Sequence, residues 1–268
     1  MKIRKTLALT VILALILPLL AAAGTTAQES RYFENPEDAV AFFAQSLAQG
    51  DMEAALSAMD AQAAGKTGDY RALAERIRLV SIATALLLPG EYTEYVTLNQ
   101  ARFRAQQSLQ LFGFIASLLV PEWPDPSIPL ILDKDGQLQL PDGGMPLDDF
   151  IARLDPKRLA PLTLKQVLRL DSAILRSESN QLNVQKQGAV YGFTQQADLM
   201  AIYAFGDQLY CHASTAVLRP EGWQLSSLNS PLINTSALGS AWAISGEAAS
   251  QLLSSPDYLL LYDAPIKE

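Results

Sequence analysis

One histidine and one cysteine stand side by side in this chain, at His212 and Cys211. Imidazole titrates near neutral pH and a thiolate is a nucleophile, so the pair invites an acid–base or nucleophilic reading. The residues before them decide how they relate. Phe205-Gly206-Asp207-Gln208 places glycine where a type II′ hairpin turn demands it. That turn sets Tyr203 opposite Tyr210, Ala201 opposite His212, Ile202 opposite Cys211 and Met200 opposite Ala213. Strand side chains alternate, so Cys211 and His212 point to opposite faces and cannot work as a pair.

A second turn, Arg219-Pro220-Glu221-Gly222-Trp223, reads as a type I turn with glycine in the left-handed bulge position, which pairs Arg219 with Trp223 and Val217 with Leu225. One face then holds Met200, Ile202, Cys211, Ala213, Val217, Trp223 and Leu225, all apolar. On it Cys211 is expected as a buried small hydrophobe rather than a reactive thiol. The other face carries Tyr203, Tyr210, His212 and Gln224, polar enough to line a ligand pocket or to face solvent. These four are the candidate ligand-binding residues. If the pocket is catalytic, His212 needs an orienting carboxylate, such as Asp198 across the pocket.

Other chemistries find little support. There is no Gly-x-Ser-x-Gly elbow, no phosphate-cradling glycine loop and no His-Glu-x-x-His helix. A single histidine cannot supply a multi-histidine metal site, and a single cysteine cannot close an internal disulfide. No metal and no cofactor is expected. Asp133-Lys134-Asp135-Gly136 has the start of a calcium loop but lacks its closing bidentate glutamate, so it reads as a plain turn. Asp148-Asp149, Glu91 and Glu94 fall where helices begin, as partners of the helix dipole.

The chain has 268 residues, is 49 % hydrophobic and 18 % charged, and carries a formal charge of −8. Lys2, Arg4 and Lys5, an apolar run from Leu7 to Leu20 and Ala21-Ala22-Ala23 form the three parts of a secretory signal. The alternative, a membrane anchor, needs about 20 apolar residues and a positive flank beyond them. Cleavage after residue 23 predicts a secreted, periplasmic or extracellular protein with no transmembrane span, and leaves its surface more acidic still. Nucleic acid binding requires basic patches that are missing here.

The elements that would position these residues follow from caps and periods. Asn35-Pro36-Glu37-Asp38 opens a helix whose apolar stripe is Val40, Phe43, Ala44 and Leu47, and Asp51 caps a second that Gly65 and Gly68 break. Tyr70–Leu88 and Tyr92–Val120 read as a helical hairpin turned at Pro89-Gly90, its apolar ends either core or a partner-binding face. Four prolines between Pro121 and Pro129 mark a linker, followed by a small hairpin. Two further helices are predicted at Met145–Leu154 and Leu162–Leu170, and strands from Ala173 on, densest between Gly188 and Leu228. The fold class is α+β: N-terminal helices, then a curved antiparallel sheet. The expected parts are 1–23 (signal), 31–120 (helical), 121–145 (linker and hairpin) and 146–268 (helices, then sheet), the last forming one composite domain with 31–60 or a domain apart.

The run Asn-Pro-Glu-Asp-Ala-Val-Ala-Phe-Phe at 35–43, Gly50-Asp51, and the terminal Gly222-Trp223-Gln224-Leu225 hairpin resemble the nuclear transport factor 2-like (cystatin-like α+β cone) superfamily, over residues 35–60 and 188–230. The resemblance implies helices closing one mouth of a sheet-lined pocket. It implies no activity, because that fold hosts both enzymes and binding modules. Two function classes stay open. One is an exported non-enzymatic module that binds a small molecule or a cell-envelope protein. The other is a metal-independent hydrolase or isomerase using the His212, Tyr203 and Tyr210 face.

Overall fold

The computed structural model describes residues 30–78, 88–123, 126, 128–141, 143–233 and 238–264. The expected export signal and most of the second half of the first hairpin arm lie outside these.

Helix α1 (Pro36–Ala48) begins with proline in its first turn beside Glu37 and Asp38, and buries Ala39, Val40, Phe43, Ala44 and Leu47. Asn35 does not cap it by accepting a hydrogen bond; its Nδ2 donates to Asp38 Oδ2 at 2.9 Å. Gly50 takes a positive φ of 72° and turns the chain into α2 (Met52–Ser57), which Asp51 caps through the Ala54 amide. Gly65 breaks nothing: α3 (Ala61–Thr67) runs through it and crosses α5 (Thr93–Leu119) there, a Cβ at residue 65 falling 2.5 Å from the Gln100 amide nitrogen. Between them lies α4 (Tyr70–Ile77), capped by Asp69. The C-terminal half of α5 enters the core with Leu111, Phe114, Ile115, Leu118 and Leu119, while Leu109 and Phe112 stay exposed.

A three-stranded sheet of β1 (Ile131–Leu132), β2 (Gln137–Leu140) and β3 (Gly143–Pro146) leads into α6 (Leu147–Arg153). Its first turn is held by Asp133 Oδ1, which accepts from the amides of Asp135 and Gln137 at 2.9 Å each. Met145 is buried in the main core, and Trp123, Phe150 and Leu154 pack against it.

The large antiparallel sheet is built from β4 (Thr163–Leu170), β5 (Gln195–Phe205), β6 (Gln208–Arg219), β7 (Gly222–Ser227), β8 (Trp242–Ile244) and β9 (Tyr258–Asp263), in the order β7-β6-β5-β4-β9, with β8 also pairing β6. Between β4 and β5 the chain makes α7 (Ala173–Arg176) and α8 (Glu178–Tyr191), and α9 (Gly246–Ser254) precedes β9. The fold is α+β with the sheet at the C-terminal side.

Two further sequence expectations, both of element type, fail here. Residues 162–170 are not a helix: β4 carries register shifts between Leu164 and Gln166 against β5 and between Val167 and Leu168 against β9. Each bulge breaks the two-residue alternation, and the buried Leu164, Val167 and Leu168 end up spaced like one face of a helix. The stretch 173–191 is helical rather than extended. Ser177 caps α8 through the Asn180 amide and Gly192 ends it at φ +73°, but its few apolar residues, from exposed Leu182 to buried Val190, form no stripe and leave no periodic signal.

The sheet packs on both faces. One carries the larger cluster, where Ala197, Leu199, Ala201, Tyr203, Tyr210, Ala216 and Leu225 meet Phe43, Leu47, Phe114 and Leu118. The other carries a smaller one of Leu168, Met200, Ile202, Cys211 and Ala249, with Trp242, Leu252 and Tyr258 against it. Among the described residues no helix is long and apolar enough to cross a membrane.

Candidate functional site

The first hairpin has the expected register: Tyr203 pairs with Tyr210, Ala201 with His212 and Ile202 with Cys211. Gly206 sits at φ +59° and Asp207 is not left-handed, as a type II′ turn requires. The second hairpin is off by one residue. Arg219 pairs with Gly222, Leu218 with Trp223, Val217 with Gln224 and Ala216 with Leu225. Gly222 belongs to the ladder, so the loop is only Pro220-Glu221, and a one-residue slip moves every later side chain to the other face. Trp223 and Leu225 therefore join the side of Tyr203, Tyr210 and His212, and Gln224 leaves it.

Three of the four predicted ligand residues thus share a face, and that face is the main core. His212 is 1 % exposed, Tyr203 0 % and Tyr210 7 %. The imidazole lies 4.6 Å, centroid to centroid, from the Phe114 ring and 6.4 Å from Tyr203, with Nε2 at 3.0 Å from the Leu228 carbonyl oxygen. Burial pushes its pKa down to about 4, against a smaller upward pull from the Leu228 and Gly239 backbone. It is a neutral side chain inside a packed layer at neutral pH. Burial likewise raises the Tyr203 and Tyr210 phenols and takes the Cys211 thiol up to about 12. Gln224, fully buried, donates from Nε2 to the Arg31 carbonyl at 3.0 Å and fastens the N-terminal segment.

The pairing of His212 with Asp198 also fails on geometry. Asp198 sits opposite Thr215, on the Cys211 side of the sheet. It is 2 % exposed, and its carboxylate accepts hydrogen bonds from Ser230 Oγ at 2.8 Å and from Thr215 Oγ1 and Gln196 Nε2 at 3.2 Å each.

Asp198 does line an opening, one with no sign in the sequence. A cleft of about 920 Å³ runs between α8 and the ends of β4 and β5. Arg169 and Asp171 come from the end of β4 and just beyond it, Arg176 from α7, Phe193 from the turn after α8, and Gln196 and Asp198 from the start of β5. Asn180, Gln181 and Gln185 add the helical wall. Arg176 Nη1 stands 3.8 Å from Asp171 Oδ2, whereas the half-buried Arg169 has no hydrogen-bond or ion-pair partner among the described residues. These residues were hidden in the sequence because they come from a helix without amphipathic period and from strand ends. No three of His, Cys, Asp and Glu gather as metal ligands among the described residues.

Next to the cleft lies a buried ion pair. Asp60, 4 % exposed, and Arg219, 2 % exposed, meet at 2.7 Å (Nη2 to Oδ2). Gln107 Nε2 donates to Asp60 Oδ1 at 2.9 Å, and Arg219 Nη1 donates to Tyr191 O at 2.7 Å, Gly192 O at 3.1 Å and Thr67 Oγ1 at 3.2 Å. This network ties α3, α5 and β6 to the C-terminal end of α8, the wall of the cleft. Burial raises the Asp60 pKa, with Arg219 and Gln107 pulling the other way.

No protein-family model and no curated protein matches the chain. Among solved structures it is similar to a cystatin-like protein from Ruminococcus gnavus ATCC 29149, at 15 % identity and a TM-score of 0.49, over 85 % of this chain and 45 % of that one. The chain spans less than half the length of that protein.

Proposed function

We propose that this chain is an exported, non-enzymatic binding module that holds a small polar molecule in the cleft between α8 and the sheet. The cleft carries the reading: its volume of about 920 Å³ falls within the roughly 300–1,000 Å³ of small-molecule sites. Its lining mixes guanidinium, carboxylate and amide groups with the half-buried Phe193 ring, a set that can orient a ligand through several hydrogen bonds at once. The fixed wall supports it too, because the C-terminal end of α8 is held by the buried Arg219 through the Tyr191 and Gly192 carbonyls. Export rests on the pattern of residues 1–23.

A fragment library screened by amide chemical-shift perturbation tests the reading. Hits clustering on residues 169–171, 176–185 and 193–198 support it. A library that leaves these amides unmoved, or that binds only elsewhere, overturns it.

A further inference from the structure

We infer that the cleft recognises a singly charged organic carboxylate and that Arg169 is the group that grips it; this deepens the cleft-binding reading and rests on it. The other charged groups that line the cleft already have partners. Asp171 faces Arg176 at 3.8 Å, and Asp198 is saturated by Ser230, Thr215 and Gln196. Arg169 alone has neither an ion-pair nor a hydrogen-bond partner among the described residues, although it is half-buried.

Its place in the sheet explains why none of the described residues answers it. Arg169 pairs with Leu199 on β5 and with Leu259 on β9, so the strands on both sides offer aliphatic neighbours. A guanidinium keeps its charge at any physiological pH and presents planar parallel N–H donors, which match the two oxygens of a carboxylate. A half-desolvated guanidinium with no internal anion is a site completed by an external one.

The rest of the lining narrows the anion. Two carboxylates, Asp171 and Asp198, border the same cleft, and the whole chain carries a formal charge of −8. A doubly charged phosphate or sulfate group would meet about twice the repulsion from Asp171 and from the acidic chain as a whole that a single carboxylate meets. The amides of Asn180, Gln181, Gln185 and Gln196 each offer donors and an acceptor, so the body of the ligand is one with hydroxyl or amide groups. Phe193 gives it an apolar face to lie on.

The test uses calorimetry and amide shifts on the whole protein with matched pairs of probes. N-acetyl-alanyl-alanine is compared with its C-terminal amide, and glucuronate with glucose, so the arm that binds tells a peptide-like from a sugar-like source. Inorganic phosphate is the fifth probe. In at least one pair the acid is expected to bind ten times or more tighter than its neutral partner, with shifts centred on residues 169–171 and 193–198. Arg169→Gln should erase that preference, and Arg169→Lys, which keeps the charge but loses the fork, should retain part of it, both with unchanged circular dichroism. Equal binding of acid and neutral forms, an acid preference that survives Arg169→Gln, tighter binding of phosphate, or no binding by any probe each overturns the carboxylate assignment. The cleft reading itself is decided separately by the fragment screen, and falls if that screen leaves the cleft amides unmoved.

Discussion

Removing the guanidinium of Arg219 is the sharpest perturbation of the framework behind the cleft. In Arg219→Met the Asp60 carboxylate, 4 % exposed, keeps only Gln107 as a side-chain hydrogen-bond partner, the Gly192 carbonyl loses its donor, and the Tyr191 carbonyl keeps Thr67 Oγ1 alone. Breaking a buried pair from one side costs about 3–5 kcal/mol. With a urea slope of about 2–3 kcal/mol per M, a loss of about 4 kcal/mol moves the midpoint down by roughly 1.3–2 M. Because burial already raises the Asp60 pKa, charging this group is the expensive part of the network. Asp60→Asn in the Arg219→Met background should therefore recover about 1–2 kcal/mol, the opposite of what two independent losses would give. The variant's deficit should also shrink on acidification. The orphaned carboxyl takes up its proton at a higher pH in the native than in the unfolded state, so the native state binds more protons and gains stability as pH falls through that window. Urea unfolding followed by tryptophan fluorescence at pH 7 and pH 5 measures all of this. A loss below about 1 kcal/mol for Arg219→Met, or no rescue by Asp60→Asn, would refute the reasoning.

His212 works in the other direction. With a native pKa of about 4 against 6.5 for the unprotected ring, the unfolded chain binds the proton first, and lowering the pH from 7 to 5 should remove about 2 kcal/mol of stability through this residue. As the only histidine, it gives one set of ring resonances; these should stay in the neutral position down to about pH 5, and a midpoint near 6.5 would contradict its burial. In Gly113→Ala the new Cβ runs into the Leu238 carbonyl oxygen, and the variant should lose about 1–3 kcal/mol in urea titration; an unchanged midpoint would show that this crossing is loose. Cys211, 0 % exposed and with its thiol pushed up to about 12, should react with a thiol reagent at pH 8 at least about a hundredfold more slowly than in urea-unfolded protein; labelling at the unfolded rate would place it on the surface.

How much of this was legible in the sequence depended on whether a local rule had a competitor. The Gly206 turn fixed eleven residue pairs between β5 and β6, because a two-residue loop with glycine first has one register. Gly222 allowed two, as a bulge or as a ladder residue, and the contact that chose between them is remote: Phe33 bridges Trp223. The polarity of Tyr203, Tyr210, His212 and Gln224 argued for a pocket wall, yet Phe114 from α5 covers the first and third of these. Nothing in the composition of a strand states which helix will lie on it. The cleft was illegible for the opposite reason, since Arg169 and Asp198 are 29 positions apart and a bulged strand and a polar helix separate their patterns.

The order of strands has a consequence in time. β4, from residues 163–170, is flanked on one side by β5 and on the other by β9, from residues 258–263, and the core beneath is sealed by α1, from residues 36–48. The sheet therefore cannot be completed until residue 263 has left the ribosome. Pairings this distant along the chain close slowly, because the loop entropy is lost before the contacts form. Until then β4 has β5 on one side and an open edge on the other, so through the emergence of some ninety residues an unpaired row of backbone donors and acceptors waits for its partner.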